Sequence, residues 1–185
     1  NHFLNYSYNH NQSFTRIYAL RRYFEEDDKT IATQLEQPTF FKGQGNSHNL
    51  RVGTDEAMQN LVDYANRSDR PVKMKAEAID ALSTWPKPSV VDRVDGRYRG
   101  VIERNANEVR SKTGDALTQL LSNKDSIVRV SAVKAVSKLK ISQGAPVLMV
   151  ILKNDREPSI RAEALKALAH MEHAQIGEAI KVAIA

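Results

Sequence analysis

With 185 residues, 41% of them hydrophobic, 26% charged and 6% aromatic, the chain has enough material for one domain and lies near the lower bound for two. Its longest apolar run, residues 147–152, is far short of the ~20 residues a bilayer-spanning helix needs. The complete lack of cysteine excludes disulfides, thiol nucleophiles, thiolate-held zinc or iron–sulfur clusters, and haem attached through CxxCH within these residues. A net charge of +5 and a pI of about 9.4 permit an anionic partner without requiring one.

Residues 1–48 read as a degenerate helical repeat and a loop. Residues 13–24 form a helical pattern, residues 29–36 a short partner after Asp27 and Asp28, and Pro38 with the Gly/Asn/Ser-rich residues 42–47 a connection that supplies turns and little packing. The aromatics Phe3, Tyr6, Tyr8, Phe14, Tyr18, Tyr23 and Phe24 suit the local core of such a repeat better than a ligand platform. The Asn-x-Ser sequons at Asn5, Asn11 and Asn66 add little, the last fitting a helix end equally well.

From residue 49 onward the sequence repeats itself. Lys75-Ala76-Glu77-Ala78-Ile79-Asp80-Ala81-Leu82 aligns without gaps with Arg129-Val130-Ser131-Ala132-Val133-Lys134-Ala135-Val136 and with Arg161-Ala162-Glu163-Ala164-Leu165-Lys166-Ala167-Leu168. A bulky apolar residue precedes each basic one (Met74, Val128, Ile160), and another closes each copy (Trp85, Leu139, Met171). The rhythm Val128, Ala132, Ala135, Val136, Leu139 is that of one helical face. The alanine pairs 78/81, 132/135 and 164/167 leave room for a neighbouring helix to approach closely.

A second amphipathic segment precedes each copy, at residues 55–66, 115–122 and 145–152, so each unit is a predicted helical hairpin. Turn material separates the two helices each time, and Thr54 with Asp55 and Glu56 makes a sound helix start. Asp125 and Glu157 stand four residues before Arg129 and Arg161, a spacing that predicts an ion pair across the first turn. Such a pair is worth a few tenths of a kcal/mol, so stability must rest on apolar stacking. A last apolar helix covers residues 173–185 with no partner after it; together with the start at Asn1, this leads us to expect a piece of a longer polypeptide.

The last two copies are 32 residues apart and the first two 54, which places an insertion of about 22 residues, near 86–107, after the first hairpin. Pro86 and Pro88 end the helix, and Asp95-Gly96 between β-prone flanks (Val90, Val91 and Tyr98) predicts a small hairpin-like tongue lying against the solenoid.

These hairpins resemble HEAT repeats in a short form of roughly 30 residues, which makes the predicted fold an all-α solenoid. The tetratricopeptide and ankyrin signatures are missing. More narrowly, Asn49-Leu50-Arg51-Val52-Gly53, Lys75 to Ser89 with its Trp85-Pro86-Lys87-Pro88, and Asp92-Arg93-Val94-Asp95-Gly96-Arg97-Tyr98-Arg99 resemble the HEAT-repeat region of large bacterial extracytoplasmic proteins. In that family a sugar-dehydrogenase-like propeller of sorbosone or glucose dehydrogenase type precedes the repeats, and a c-type cytochrome domain commonly follows. The resemblance implies a periplasmic or cell-surface setting, haem c elsewhere in a parent protein, and no activity or cofactor for this segment, which has neither CxxCH nor a quinone-cofactor site.

Arg93, Arg97, Arg99 and Arg104 gather around Tyr98, with Arg110 and Lys112 further on. They suit an acidic protein partner, neighbouring domain or polyanion, or alternatively an ion-paired attachment of the tongue to its scaffold. His170 and His173 are the only close pair of metal-ligand types; they straddle a predicted turn with no third ligand in view. A DNA-glycosylase-like reading, with Trp85 in a basic groove, competes with the repeat alignment, which puts Trp85 in the core. Nothing points to chemistry like that of the HEAT-repeat bilin lyases, and Ser, His and Asp form no nucleophile arrangement. The expected role is that of a non-catalytic protein-binding scaffold.

Overall fold

A computed structural model describes residues 49–91, 98–174 and 176–184. The predicted N-terminal repeat of residues 1–48, the Asp95-Gly96 turn, Arg93 and Arg97 lie outside the described residues.

Each repeated copy folds as the second helix of a pair. α1 (Asp55–Asn66) packs on α2 (Val72–Ser83), α3 (Ala106–Leu120) on α4 (Ser126–Lys138), and α5 (Ala145–Asn154) on α6 (Pro158–His170), while α7 (Ile176–Ile184) rests on α5 and α6. α2, α4 and α6 stack in sequence to make one layer; α1, α3, α5 and α7 make the other, with a 3-10 turn at Ser142–Gly144 leading into α5. The result is an all-α solenoid whose successive units bury one continuous core.

The repeat register holds in three dimensions. Lys75, Arg129 and Arg161 are each the fourth residue of their helix. All six alanines of the paired positions are buried: Ala78, Ala132, Ala135 and Ala164 are wholly covered, and Ala81 and Ala167 nearly so. With no side chain beyond Cβ to separate them, neighbouring helices can cross at the short end of the usual 8–10 Å range. Ala132→Leu would force extra methylenes into that contact. We expect a loss of about 2 kcal/mol, measured by urea unfolding, without loss of helix content at low denaturant.

The second first-layer helix differs from its predicted span. α3 starts at Ala106 rather than near residue 115, so the insertion ends at Asn105. Asn105 caps it, its side chain accepting from the amides of Asn107 (2.9 Å) and Glu108 (3.4 Å). The extra turns hide in the sequence because Thr113 and Gly114 occupy core positions. Thr113 is fully buried, with its hydroxyl donating back to the Val109 carbonyl at 2.8 Å. A Cβ on Gly144 would press on the buried Val136 side chain, so close packing demands glycine there, whereas one on Gly114 would meet only the movable end of Gln143.

Helix exits explain why the insertion sits where it does. α4 and α6 both end in a residue of positive φ, Lys140 (52°) and Glu172 (54°), 32 residues apart in the repeat register. In each case the next residue's amide reaches back to a helical carbonyl, Ile141 to Val136 (3.0 Å) and His173 to Leu168 (3.1 Å), which closes the helix in a Schellman turn. The matching position in the first repeat is Pro86, whose ring holds φ near −65° and forbids this exit. The chain therefore leaves α2 on another path and returns only at Asn105. Lys140→Gly should relieve the left-handed strain and stabilise the protein by about 1 kcal/mol in thermal or urea unfolding. The exposed Lys140–Glu172 pair at 3.7 Å that it removes contributes little.

Candidate interaction surface

The tongue is fastened at its base by two arginines. Arg104 is half-buried: Nη1 donates to the Trp85 carbonyl (2.8 Å), Nη2 to the Leu50 carbonyl (2.8 Å), and the guanidinium lies 4.8 Å from the centre of the Trp85 ring. Its amide donates to the Pro86 carbonyl at 2.8 Å. Burial, and then the nearby Arg51 cation, push the Arg104 pKa below the ordinary guanidinium value; the two carbonyl dipoles and the ring face hold the charge in place. Gly53, at φ 73°, makes this possible, because a Cβ there would run into the same guanidinium. On the outgoing limb of the tongue, Arg51 Nη2 donates to the carbonyls of Ser89 (2.8 Å) and Val91 (3.4 Å).

Of the two roles open to the basic cluster, Arg104 takes the attachment of the tongue, held by backbone carbonyls and the Trp85 ring rather than by ion pairs. The sequence could not distinguish the two, since its partners are backbone carbonyls of residues 50 and 85, which carry no sequence mark. Trp85 is buried beneath Arg104 at 1% exposure, in the place that Leu139 fills in the next repeat, and lines no groove. Val91 and Tyr98 form the predicted antiparallel pairing as a single bridge, and the Arg99 amide donates to the Val90 carbonyl at 2.7 Å. Tyr98 itself is 72% exposed, with Val90, Val91 and Val101 also open to solvent. Lys87 and Glu103 pair at 2.8 Å across the tongue's base, where both are exposed.

The predicted pairs Asp125–Arg129 and Glu157–Arg161 are replaced by a longer link. Arg129 forks onto Asp155 of the following hairpin, Nε to Oδ2 at 2.7 Å and Nη2 to Oδ1 at 3.0 Å, while Nη1 donates to the carbonyls of Asn123 and Lys124, both at 3.0 Å. Arg161 makes the matching local bond, Nη1 to the Asp155 carbonyl at 2.8 Å. Asp125 and Glu157 serve instead through their own carbonyls, which accept from the amides of Arg129 and Arg161. Between hairpins two buried planar groups can meet bidentately, whereas a pair within one turn stays in water, so the longer link is favoured. The hydrogen bonds from Arg129 foremost lower the Asp155 pKa, and those to Asp155 raise that of Arg129.

Elsewhere in the first layer, Lys112 bridges Asp55 and Glu108, both at 2.6 Å, and ties α3 to α1 across the gap opened by the insertion. These carboxylates, Asp55 foremost, raise its pKa. Arg110 donates to the Leu139 carbonyl at the end of α4 (3.1 Å) and to Asn107.

His170 ends α6 in an exposed position, its Nδ1 3.4 Å from Ser137 Oγ and 3.3 Å from the Ser137 carbonyl. His173 takes the register position of Ile141 in the turn that follows. Among the described residues, no group of three or more His, Cys, Asp or Glu side chains gathers in a metal-holding arrangement, and no helix is long and apolar enough to cross a membrane.

Residues 104–169 match the family model for HEAT repeats. The match spans Arg104 and α3 to α6, the two hairpins joined by the Arg129–Asp155 link. HEAT repeats generally serve as non-catalytic, protein-binding scaffolds, and α1 and α2 extend the same stack by a third hairpin. No curated protein matches the chain.

The outward face of the second layer is laid out by the register. On α4 it presents Ile127, Val130, Ser131, Lys134 and Lys138; on α6 it presents Ser159, Ala162, Glu163, Lys166 and His170. Ile127 is 44% exposed despite its size. Sequence reasoning about the tongue passed over this face, although the lysines were visible within the aligned copies.

Proposed function

We propose that the chain is a non-catalytic docking scaffold inside a larger extracytoplasmic polypeptide of the sugar-dehydrogenase and c-type cytochrome kind. The observation carrying this reading is that the described residues behind the narrower resemblance act as one unit. The segment 49–53, Trp85 with its prolines, and the two described ends of the tongue at Val90–Val91 and Tyr98–Arg99 meet at the tongue's base through Arg51, Arg104 and Gly53. A signature that encodes a single structural device supports common descent better than scattered identities do. The exposed Tyr98 and its valine neighbours offer that device's outer side to a partner.

The full reading frame and its product provide the test. A frame encoding a CxxCH motif, a product in the periplasmic or surface fraction and a c-type haem spectrum would agree with the assignment. A cytoplasmic product without that motif would overturn the parent assignment. Cross-linking of the full-length polypeptide followed by mass spectrometry tests docking itself, with links expected from this segment's lysines to a neighbouring domain or subunit.

Nucleic-acid binding is the competing reading, motivated by the basic pI. It draws less support, because Arg104 is committed to carbonyls and Trp85 is covered. Duplex DNA binding that weakens steeply with salt would revive it.

A further inference from the structure

The second-layer face of α4 and α6 combines two chemistries side by side. Lys134 and Lys138 lie one turn apart on α4, and Lys166 and His170 one turn apart on α6; all four are exposed. The two helices pack directly on each other, and the contact of His170 with Ser137 brings the ends of the two rows together. The outcome is a plaque of three lysines and a histidine on a grid of roughly 6 Å along each helix and 8–10 Å between them. Glu163 is the one carboxylate of this face on α4 and α6; it pairs with Lys166 at 3.5 Å and is itself mostly covered.

Toward the helix starts the same face becomes apolar, with Ile127 exposed, Ala162 exposed and Val130 half-buried against the core. Ile127 precedes Lys134 by two helical turns, about 10 Å. On α2 the register replaces Ser131 and Lys134 with Glu77 and Asp80, and Ile127 with Lys73, so the lysine row does not continue onto that helix.

We propose that this face binds an acidic amphipathic peptide segment of a partner protein, with carboxylates over Lys134, Lys138, Lys166 and His170 and apolar side chains over Ile127, Val130 and Ala162. The inference rests on the scaffold reading above and adds the partner's chemistry and the place where it sits. Nucleic acid would use the cations but gain nothing from Ile127. The lysine row ends at α4, and this sets how far the partner's carboxylates extend.

The test uses the full 185-residue chain and a fluorescein-labelled peptide with Glu residues at i, i+4 and Leu residues two turns away, followed by anisotropy. The double variant Lys134→Glu with Lys166→Glu should weaken binding by about ten-fold or more, and Ile127→Ser by about three-fold, while Lys153→Glu on α5 in the other layer should stay within about two-fold. Circular dichroism would verify that each variant keeps its helices. Equal weakening by Lys153→Glu, unchanged binding of a peptide with Ser in place of Leu, or tighter binding of duplex DNA governed by the same lysines would each overturn the proposal. Should the plaque variants keep every cross-link of the full-length polypeptide, docking stands and its placement here falls; absence of all such links would instead sink the scaffold reading.

Discussion

Replacing Asp155 by Asn is expected to remove about 3 kcal/mol of stability at neutral pH, because it leaves Arg129 without its counter-charge in a mostly covered position. The side chains of Arg129 and Asp155 are only 15% and 4% exposed, and their bidentate contact joins the turns of two successive hairpins. The link is also pH-dependent, with a definite sign. Asp155 has a lowered pKa in the folded chain, so the folded state binds its proton less readily than the unfolded state does. The pair's stabilisation is therefore fully present above the unfolded carboxylate value of about 4 and is lost as pH falls through the lower folded value. Urea midpoints between pH 7 and pH 2 should show wild-type stability falling faster than that of Asp155→Asn in the acid range. Parallel profiles would mean that the pair contributes nothing. Replacing both partners by apolar residues of similar size should recover much of the loss, since that leaves no uncompensated charge.

Trp85→Ala should cost about 4 kcal/mol, the largest single effect we expect in the chain. The indole is the largest fully covered side chain described, and it supports the Arg104 guanidinium as well as filling the core at the end of α2. Trp85→Phe keeps an aromatic face and should lose roughly half as much. Hydrogen exchange separates local from global consequences. In Trp85→Ala the amides of Arg99 and Arg104, bonded to Val90 and Pro86, should lose protection more than those of α6 do. Uniform loss along the chain would show that the tongue has no separate anchorage at Trp85.

The helices of the second layer were legible because three short segments repeat both their alanines and their basic residue, and burial of those alanines is what the stack requires. Trp85 was legible as core for the same reason, its alignment with Leu139 and Met171. The first half of α3 was not, because a buried threonine satisfied by its own helix and a buried glycine look polar or neutral in a periodicity count. The role of Arg104 stayed open between partner binding and attachment because a cation held by carbonyls has the same letter as one facing solvent. The Arg129–Asp155 link escaped notice since helical spacing reports neighbours one turn away, whereas this contact joins residues 26 apart.

Cysteine placement on a chain that has none offers the most direct test of the stacked register. Lys134→Cys with Lys166→Cys puts thiols at equivalent sites on α4 and α6, which should lie roughly 8–10 Å apart. Lys134→Cys with Lys153→Cys puts them in different layers. A short bismaleimide of matching span should join the first pair within the monomer rapidly and the second scarcely at all. Equal cross-linking of both pairs, or failure of the first in a chain of unchanged helicity, would contradict the arrangement of Lys75, Arg129 and Arg161 as successive turns of one solenoid.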